Sequence, residues 1–266
     1  MRPEISEFSY GFALVNELIG LFKRLGLRIY EAPVFPTLRA EAVEGYDVQL
    51  DIPGCPLFLQ FKLSDVLTRG TAREVQDGLL TVPYYRFHLR TAPKSRQHEL
   101  LLNLRSRGHL VSYVAPGFHS AAQLNDAFRK RRVGRRSFWL DPLTIAPLLD
   151  HREHYVAFRD LRRGILRSQD YQVLSGFEPE TLASQVVSYL QQNPRPFGKG
   201  IGGLAQDLEA TLGEETGPFW VRDDRQIDAE EPLSHQLSQL RQIAIAARLH
   251  FDATFLVVQR PDREFG

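Results

Sequence analysis

The 266-residue chain is 43% hydrophobic and 24% charged, a balance that excludes a disordered tail or a fibre and requires a buried core. Cys55 is its one cysteine, which excludes an intrachain disulfide and a cysteine-based zinc site. Its longest apolar runs, such as Leu79–Val82 and Ala253–Val258, are far shorter than the ~18 residues that span a bilayer, so a cytoplasmic protein with no membrane partner is expected.

The net charge of +1 conceals an asymmetry. Residues 1–85 carry 8 basic and 11 acidic side chains, residues 86–167 carry 17 and 6, and residues 168–266 carry 8 and 15. A basic middle third suits a phosphate-rich partner, and it would equally neutralise the chain's own acidic third.

Ser6 reads as an N-cap, and Gly11, Leu14, Leu18, Leu21, Phe22 and Leu25 form a helical stripe that Gly26 stops; this is helix A, Glu7–Leu25. A proline-rich stretch, Ala32–Arg39, leads to an alternating strand at Tyr46–Ile52. Pro53, Gly54, Cys55 and Pro56 read as a tight turn into a second strand at Leu57–Leu63, an antiparallel hairpin. A third strand is expected at Pro83–Arg90, helix B at Ser95–Arg107 with Gly108 as its stop, and a fourth strand at His109–Ala115. Beyond these come a helix at Ala121–Arg132, strands at Ser137–Leu140 and His154–Arg159, and a helix at Pro179–Gln192. A glycine-rich turn at Gly198–Gly203, an acidic loop at Asp223–Glu231, a helix at Leu233–Leu249 and a last strand at Thr254–Gln259 complete the chain. The last strand would complete this molecule's own sheet or pair with another subunit.

Within the second strand, Gln60 and Lys62 share a face with Phe58. A hairpin pivoting about Gly54 and Cys55 sets Asp47 opposite Lys62 and Gln49 opposite Gln60. A carboxylate, an amide oxygen and the Phe61 carbonyl are hard donors suited to Mg²⁺ or Mn²⁺. The Lys62 ammonium beside them could position or deprotonate a water, or neutralise a phosphate under attack, which is metal-assisted phosphodiester hydrolysis. An edge strand with one wet face uses the same residue types. On helix A, Glu7 lies in line with Leu14, Leu18 and Leu25, and Glu17 about 80° away at the stripe's edge. A core-facing carboxylate needs a partner such as a metal, Lys62 or an arginine, whereas a solvated first-turn glutamate also favours the helix dipole.

The order α-β-β-β-α-β, an acid on the first helix (Glu7 or Glu17), Asp47 on the first strand and Gln60-Phe61-Lys62 on the second resemble the PD-(D/E)XK nuclease superfamily, over about Ser6–Pro116. Gly45-Tyr46 precedes Asp47 where the family commonly has a proline, and Gln60 stands in place of the usual acid, a variant similar to that of Mrr-type restriction nucleases. The resemblance implies an α/β (α+β) protein with a restriction-endonuclease-like αβββαβ core, its mixed central sheet flanked by helices. It implies Mg²⁺ (or Mn²⁺) held by Asp47, Gln60, the Phe61 carbonyl and Glu7, with Glu17 as the alternative acid, and Lys62, Asp47, Gln60 and Glu7 as catalytic residues. The implied activity is that of a metal-dependent nuclease, an endonuclease rather than an exonuclease, with DNA preferred over RNA and a role in prokaryotic restriction or antiphage defence. The acid missing at Gln60 leaves open a catalytically degenerate subunit that binds nucleic acid or assembles with a protein partner.

Arg86, His88 and Arg90 share one face of the third strand with Tyr84, and Gln97 opens helix B, so all four are candidates for a nucleic-acid groove. Arg129, Lys130, Arg131, Arg132, Arg135 and Arg136 put six cations in eight residues, a density suited to sequence-independent phosphate contact or to a solvated face. Arg159, Arg162, Arg163 and Arg167 follow at helical or loop spacing. Gly198-Lys199-Gly200-Ile201-Gly202-Gly203 matches G-x-G-x-x-G but follows no strand, so a dinucleotide fingerprint is not expected there. The charge sign changes near Arg159–Ser168, which marks the expected boundary between a nuclease core, residues 1–160, and a mostly helical C-terminal extension, residues 161–266, that binds a partner or substrate or supports a homo-oligomer.

Overall fold

The computed structural model of the protein describes residues 1–29, 53–90, 95–168, 170–213 and 232–260. Asp47, the strand expected at Tyr46–Ile52, the proline-rich stretch and the acidic loop lie outside the described residues.

The described chain is a mixed α and β protein with two five-stranded sheets. In order it runs α1 (Glu7–Arg24), β1 (Arg28–Ile29), β2 (Gly54–Phe61), β3 (Asp65–Leu67), α2 (Arg73–Gln76), β4 (Tyr84–Leu89), α3 (Gln97–Ser106) and β5 (Leu110–Pro116). It continues with α4 (Ala121–Arg129), β6 (Ser137–Leu140), β7 (His154–Asp160), β8 (Arg163–Arg167), β9 (Tyr171–Ser175), α5 (Pro179–Gln192), α6 (Phe197–Leu212), α7 (Pro232–Phe251) and β10 (Thr254–Gln259). The first sheet has the order β1-β10-β2-β5-β6, with β2 and β5 parallel and the other pairs antiparallel. The second, β3-β4-β7-β8-β9, is antiparallel throughout.

Both faces of the first sheet are covered, so its strands read as continuous apolar runs. On one face Leu57, Leu59, Phe61, Val114 and Leu256 pack under α1, α4 and α5. On the other, Phe58, Val111, Tyr113 and Phe255 meet α3, α6, α7 and the inner face of the second sheet. The helix ends follow local chemistry. Ser6 Oγ accepts the Ser9 N–H at 3.0 Å to start α1, and Gly26, at φ +70°, ends it. Ser120 and Gln123 form a capping box at the start of α4.

The structure corrects several expectations. Gly54, Cys55 and Pro56 are strand residues of β2 rather than a turn, and the edges of β2 are occupied by β10 (Thr254↔Leu59) and β5 (Phe58↔Val111); the expected register of Asp47 opposite Lys62 lies outside the described residues. The glycine-rich turn is the first half of α6. Phe197, Ile201, Leu204, Ala205, Leu208 and Leu212 recur at helical spacing, and their burial outweighs a glycine cost of roughly 1 kcal/mol each. Arg163 and Arg167 lie on one face of a strand, with Gly164 and Leu166 facing inward. The expected boundary near Arg159–Ser168 falls within the β7–β8 pair, and β10 sits in the first sheet between β1 and β2.

Candidate active site

The C-terminal end of β2 is where the chemistry-bearing residues meet. Gln60 is fully buried on the face that α3 and α7 cover, and Lys62 follows directly, its backbone N–H donating to the Val114 carbonyl at 2.9 Å. α3 opens with Gln97, whose side-chain oxygen accepts from Lys62 Nζ at 2.6 Å. The antiparallel register of β10 on β2 brings Asp252, two residues before the strand, to the same end. Asp252 has φ +50°, a left-handed conformation that few non-glycine residues adopt, and it turns the chain from α7 into β10.

The Asp252 carboxylate joins the group together. Its Oδ2 accepts from Gln97 Nε2 at 3.3 Å and from Gln60 Nε2 at 3.4 Å, and its Oδ1 pairs with Arg248 at 2.8 Å. Arg248 also lies 3.8 Å from Glu7, in the first turn of α1. Glu7, Gln60, Lys62, Gln97, Arg248 and Asp252 therefore form one polar cluster, drawn from elements up to 245 residues apart.

The electrostatics are those of a partly dehydrated site. Burial raises the Glu7 carboxyl above its ordinary pKa and the nearby Asp252 raises it further, against the pull of Lys62, Arg248 and Arg90. Burial lowers the Lys62 amine to about 8, overriding the attraction of Asp252 and Glu7. An amine with that pKa is partly neutral near physiological pH and can exchange a proton.

Gln60 Nε2 donates to the Phe61 carbonyl at 2.9 Å as well as to Asp252, which leaves Oε1 as a buried acceptor with no partner. The opposite amide orientation would turn the oxygen toward a carboxylate and a carbonyl, so the observed one is electrostatically preferred. An orphaned buried acceptor costs about 1–3 kcal/mol unless something satisfies it. With the amide turned over, its oxygen would stand beside the Asp252 carboxylate and the Phe61 carbonyl, hard donors of the kind that Mg²⁺ or Mn²⁺ takes. Among the described residues no group of three or more His, Cys, Asp or Glu side chains converges.

The remaining candidates separate. Glu17 is away from the cluster: it is half-buried, and its carboxylate accepts from the Val133 and Gly134 N–H groups at 2.6 and 3.3 Å, a structural tie between α1 and the chain before β6. Arg90 is close enough to act electrostatically on Lys62 and Glu7. Arg86 lies over the Tyr155 ring at 4.3 Å and 3.9 Å from the buried Glu74, and His88 packs on the same ring, so both belong to the outer face of the second sheet. Lys130 and Arg136 pair with Asp126 at 2.7 and 3.6 Å, and Arg135 pairs with Glu180 at 2.5 Å. With Arg129, Arg131 and Arg132 they form a basic surface around the end of α4.

Asp252 and Arg248 are absent from the sequence-based set. The one local signal for Asp252 was its place between a predicted helix and a predicted strand; nothing near it in sequence points to Gln60. No family model, no curated protein and no solved structure matches the chain. No described helix is long and apolar enough to cross a membrane.

Proposed function

We propose that the chain is a cytoplasmic metal-dependent endonuclease that hydrolyses phosphodiester bonds, acting on DNA in restriction or antiphage defence. The observation that carries this reading is the contact of Lys62 with Gln97 beside a buried, unpartnered Gln60 oxygen and two carboxylates. With the Gln60 amide turned over, so that its oxygen replaces Nε2 beside Asp252, Gln60, Asp252 and Glu7 would hold Mg²⁺ or Mn²⁺, joined by the Phe61 carbonyl and Asp47 as the family resemblance implies. The bound ion would supply a Lewis acid and a more acidic water.

Each residue then has a defined task. Gln97 fixes the Lys62 Nζ, and the partly neutral amine accepts one proton from the attacking water as its oxygen bonds to phosphorus and the P–O bond to the leaving sugar oxygen breaks. Arg90 and Arg248 supply positive charge for a phosphate oxygen, Arg248 also holding Asp252 in place.

The test is incubation of circular DNA, linear DNA and RNA with the protein in Mg²⁺, Mn²⁺ or chelator, alongside Lys62→Ala, Asp252→Asn and Asp47→Ala. Metal-dependent cleavage that drops at least ~100-fold in Lys62→Ala, the lower range for losing a general base, is the expected result. Equal activity in wild type and all three variants would overturn the proposal. Binding without cleavage in wild type would instead identify a nuclease-fold subunit that holds nucleic acid.

A further inference from the structure

A groove lies between the C-terminal half of α1 and the turn that joins α4 to β6, closed at one side by Pro179 and Glu180 at the start of α5. It encloses ≈ 370 Å³, within the roughly 300–1,000 Å³ usual for ligand sites. We infer that this groove holds a single-stranded segment of nucleic acid, its phosphates on Arg24, Arg131 and Arg132 and a base on Phe128. The inference deepens the nuclease reading, because it names the form of substrate presented to the Gln60–Asp252 cluster.

The charges supply the first argument. Arg24, Lys130, Arg131, Arg132 and Arg135 line the groove against two carboxylates, Glu17 and Glu180. Both carboxylates are already engaged: Glu17 accepts the Val133 and Gly134 N–H groups, and Glu180 pairs with Arg135. Lys130 is tied to Asp126. Arg24, Arg131 and Arg132 are exposed and make no ion pair among the described residues. Three guanidinium groups around one concavity suit phosphate oxygens, which they meet with paired N–H donors.

The backbone supplies an independent one. Arg131 has φ +50°, and its N–H and that of Arg132 donate to the Phe128 and Ala127 carbonyls at 3.0 and 2.9 Å. This is the hydrogen-bond pattern of a helix end whose left-handed residue is usually glycine. An arginine there carries a conformational cost that no ion pair among the described residues offsets. Strain of that kind is explained if the side chain is needed for a ligand.

The rim of the groove favours a single strand over a duplex. Phe128 and Ile19 line it and are 41% and 42% exposed, large apolar side chains set among cations. Bases of a single strand stack on aromatic rings in positively charged grooves, whereas a duplex keeps its bases stacked on one another and offers phosphates and groove edges. Glu17, on the groove wall, stands ten residues along α1 from Glu7 in the cluster, about 15 Å at ~1.5 Å per residue. A strand of about five nucleotides covers that distance at ~3.4 Å each.

The test is fluorescence anisotropy of the full chain with a labelled single strand of DNA, about 20 nucleotides long, and with its duplex, over a series of salt concentrations. Chelator is present throughout, so that binding is read apart from hydrolysis. The expected result is binding of the single strand at least tenfold tighter than the duplex. Phe128→Ala should lose at least ~5-fold in affinity for the strand, the lower range for one stacked base. Arg131→Gly should melt at or above the wild-type temperature, because glycine accepts the left-handed conformation, yet reduce the steepness of log affinity against log salt by about 0.7, the share of one phosphate contact. Lys62→Ala should keep the wild-type preference for the single strand. Equal affinity for strand and duplex, undiminished affinity in Phe128→Ala, an unchanged salt slope in Arg131→Gly, or no binding at micromolar protein would each overturn the inference. Absence of cleavage in Mg²⁺ with these dependences present would overturn the nuclease reading and leave the groove's assignment standing.

Discussion

At the scale of single residues, the cluster shows how burial sets reactivity. Lys62 lies at the end of an otherwise apolar strand, and the loss of water there outweighs two nearby carboxylates in setting its pKa near 8. A consequence for stability follows from linkage. The unfolded chain has Lys62 at an ordinary pKa near 10.5, so between about pH 8 and 10.5 it binds more protons than the folded protein, and folding is favoured as pH rises through that window. Urea unfolding at a series of pH values should therefore show a rising component over that window in wild type that is missing in Lys62→Met, and identical slopes would show that the amine is not dehydrated. Gln60 and Lys62 were legible from the sequence because a strand alternates faces, and two polar groups in an apolar run need a reason. Asp252 was not, because its role depends on a partner 192 residues away.

At the scale of elements, close packing explains residues that propensity alone leaves unexplained. Phe138 stacks on Phe158 with centroids 4.7 Å apart, and a side chain on Gly176 would come within 2.7 Å of the Phe138 ring and press on the Leu161 carbonyl. Gly176→Ala should cost about 1–3 kcal/mol, the usual range for overpacking, measured as a lower denaturation midpoint with unchanged slope. The capping box of α4 is a milder case: Ser120→Ala should cost about 1 kcal/mol in the same measurement, and an unchanged midpoint would mean that the cap is solvated rather than structural. The helices α1, α3, α5 and α7 were readable because a hydrophobic stripe lies within one stretch of chain. α6 was misread as a turn because its glycines argue locally against a helix, while its buried stripe from Phe197 to Leu212 reaches full effect only when packed on α3 and α7.

At the scale of the whole molecule, the last strand is the structural surprise. β10 lies between β1 and β2, so residues beyond the expected boundary supply both a central strand and, through Asp252 and Arg248, part of the candidate active site. A chain ending at residue 231 would lack α7 and β10, exposing an edge of β2 and the apolar face that Leu240, Ile243, Ala247 and Phe251 cover. Such a truncation should lose cooperative thermal unfolding, and a cooperative transition near the wild-type temperature would show that the N-terminal part folds by itself. The amino-acid sequence by itself determined the class of the protein, most of its helices and strands, the polar pair Gln60 and Lys62, and the basic middle third, since composition, periodicity and capping act between near neighbours. Only the tertiary structure decided that β10 rather than a hairpin partner lies against β2, that Glu17 is a structural tie and that Asp252 completes the cluster. Pairing between distant strands is selected by the burial of a shared core and the closure of long loops, and no local spacing encodes either.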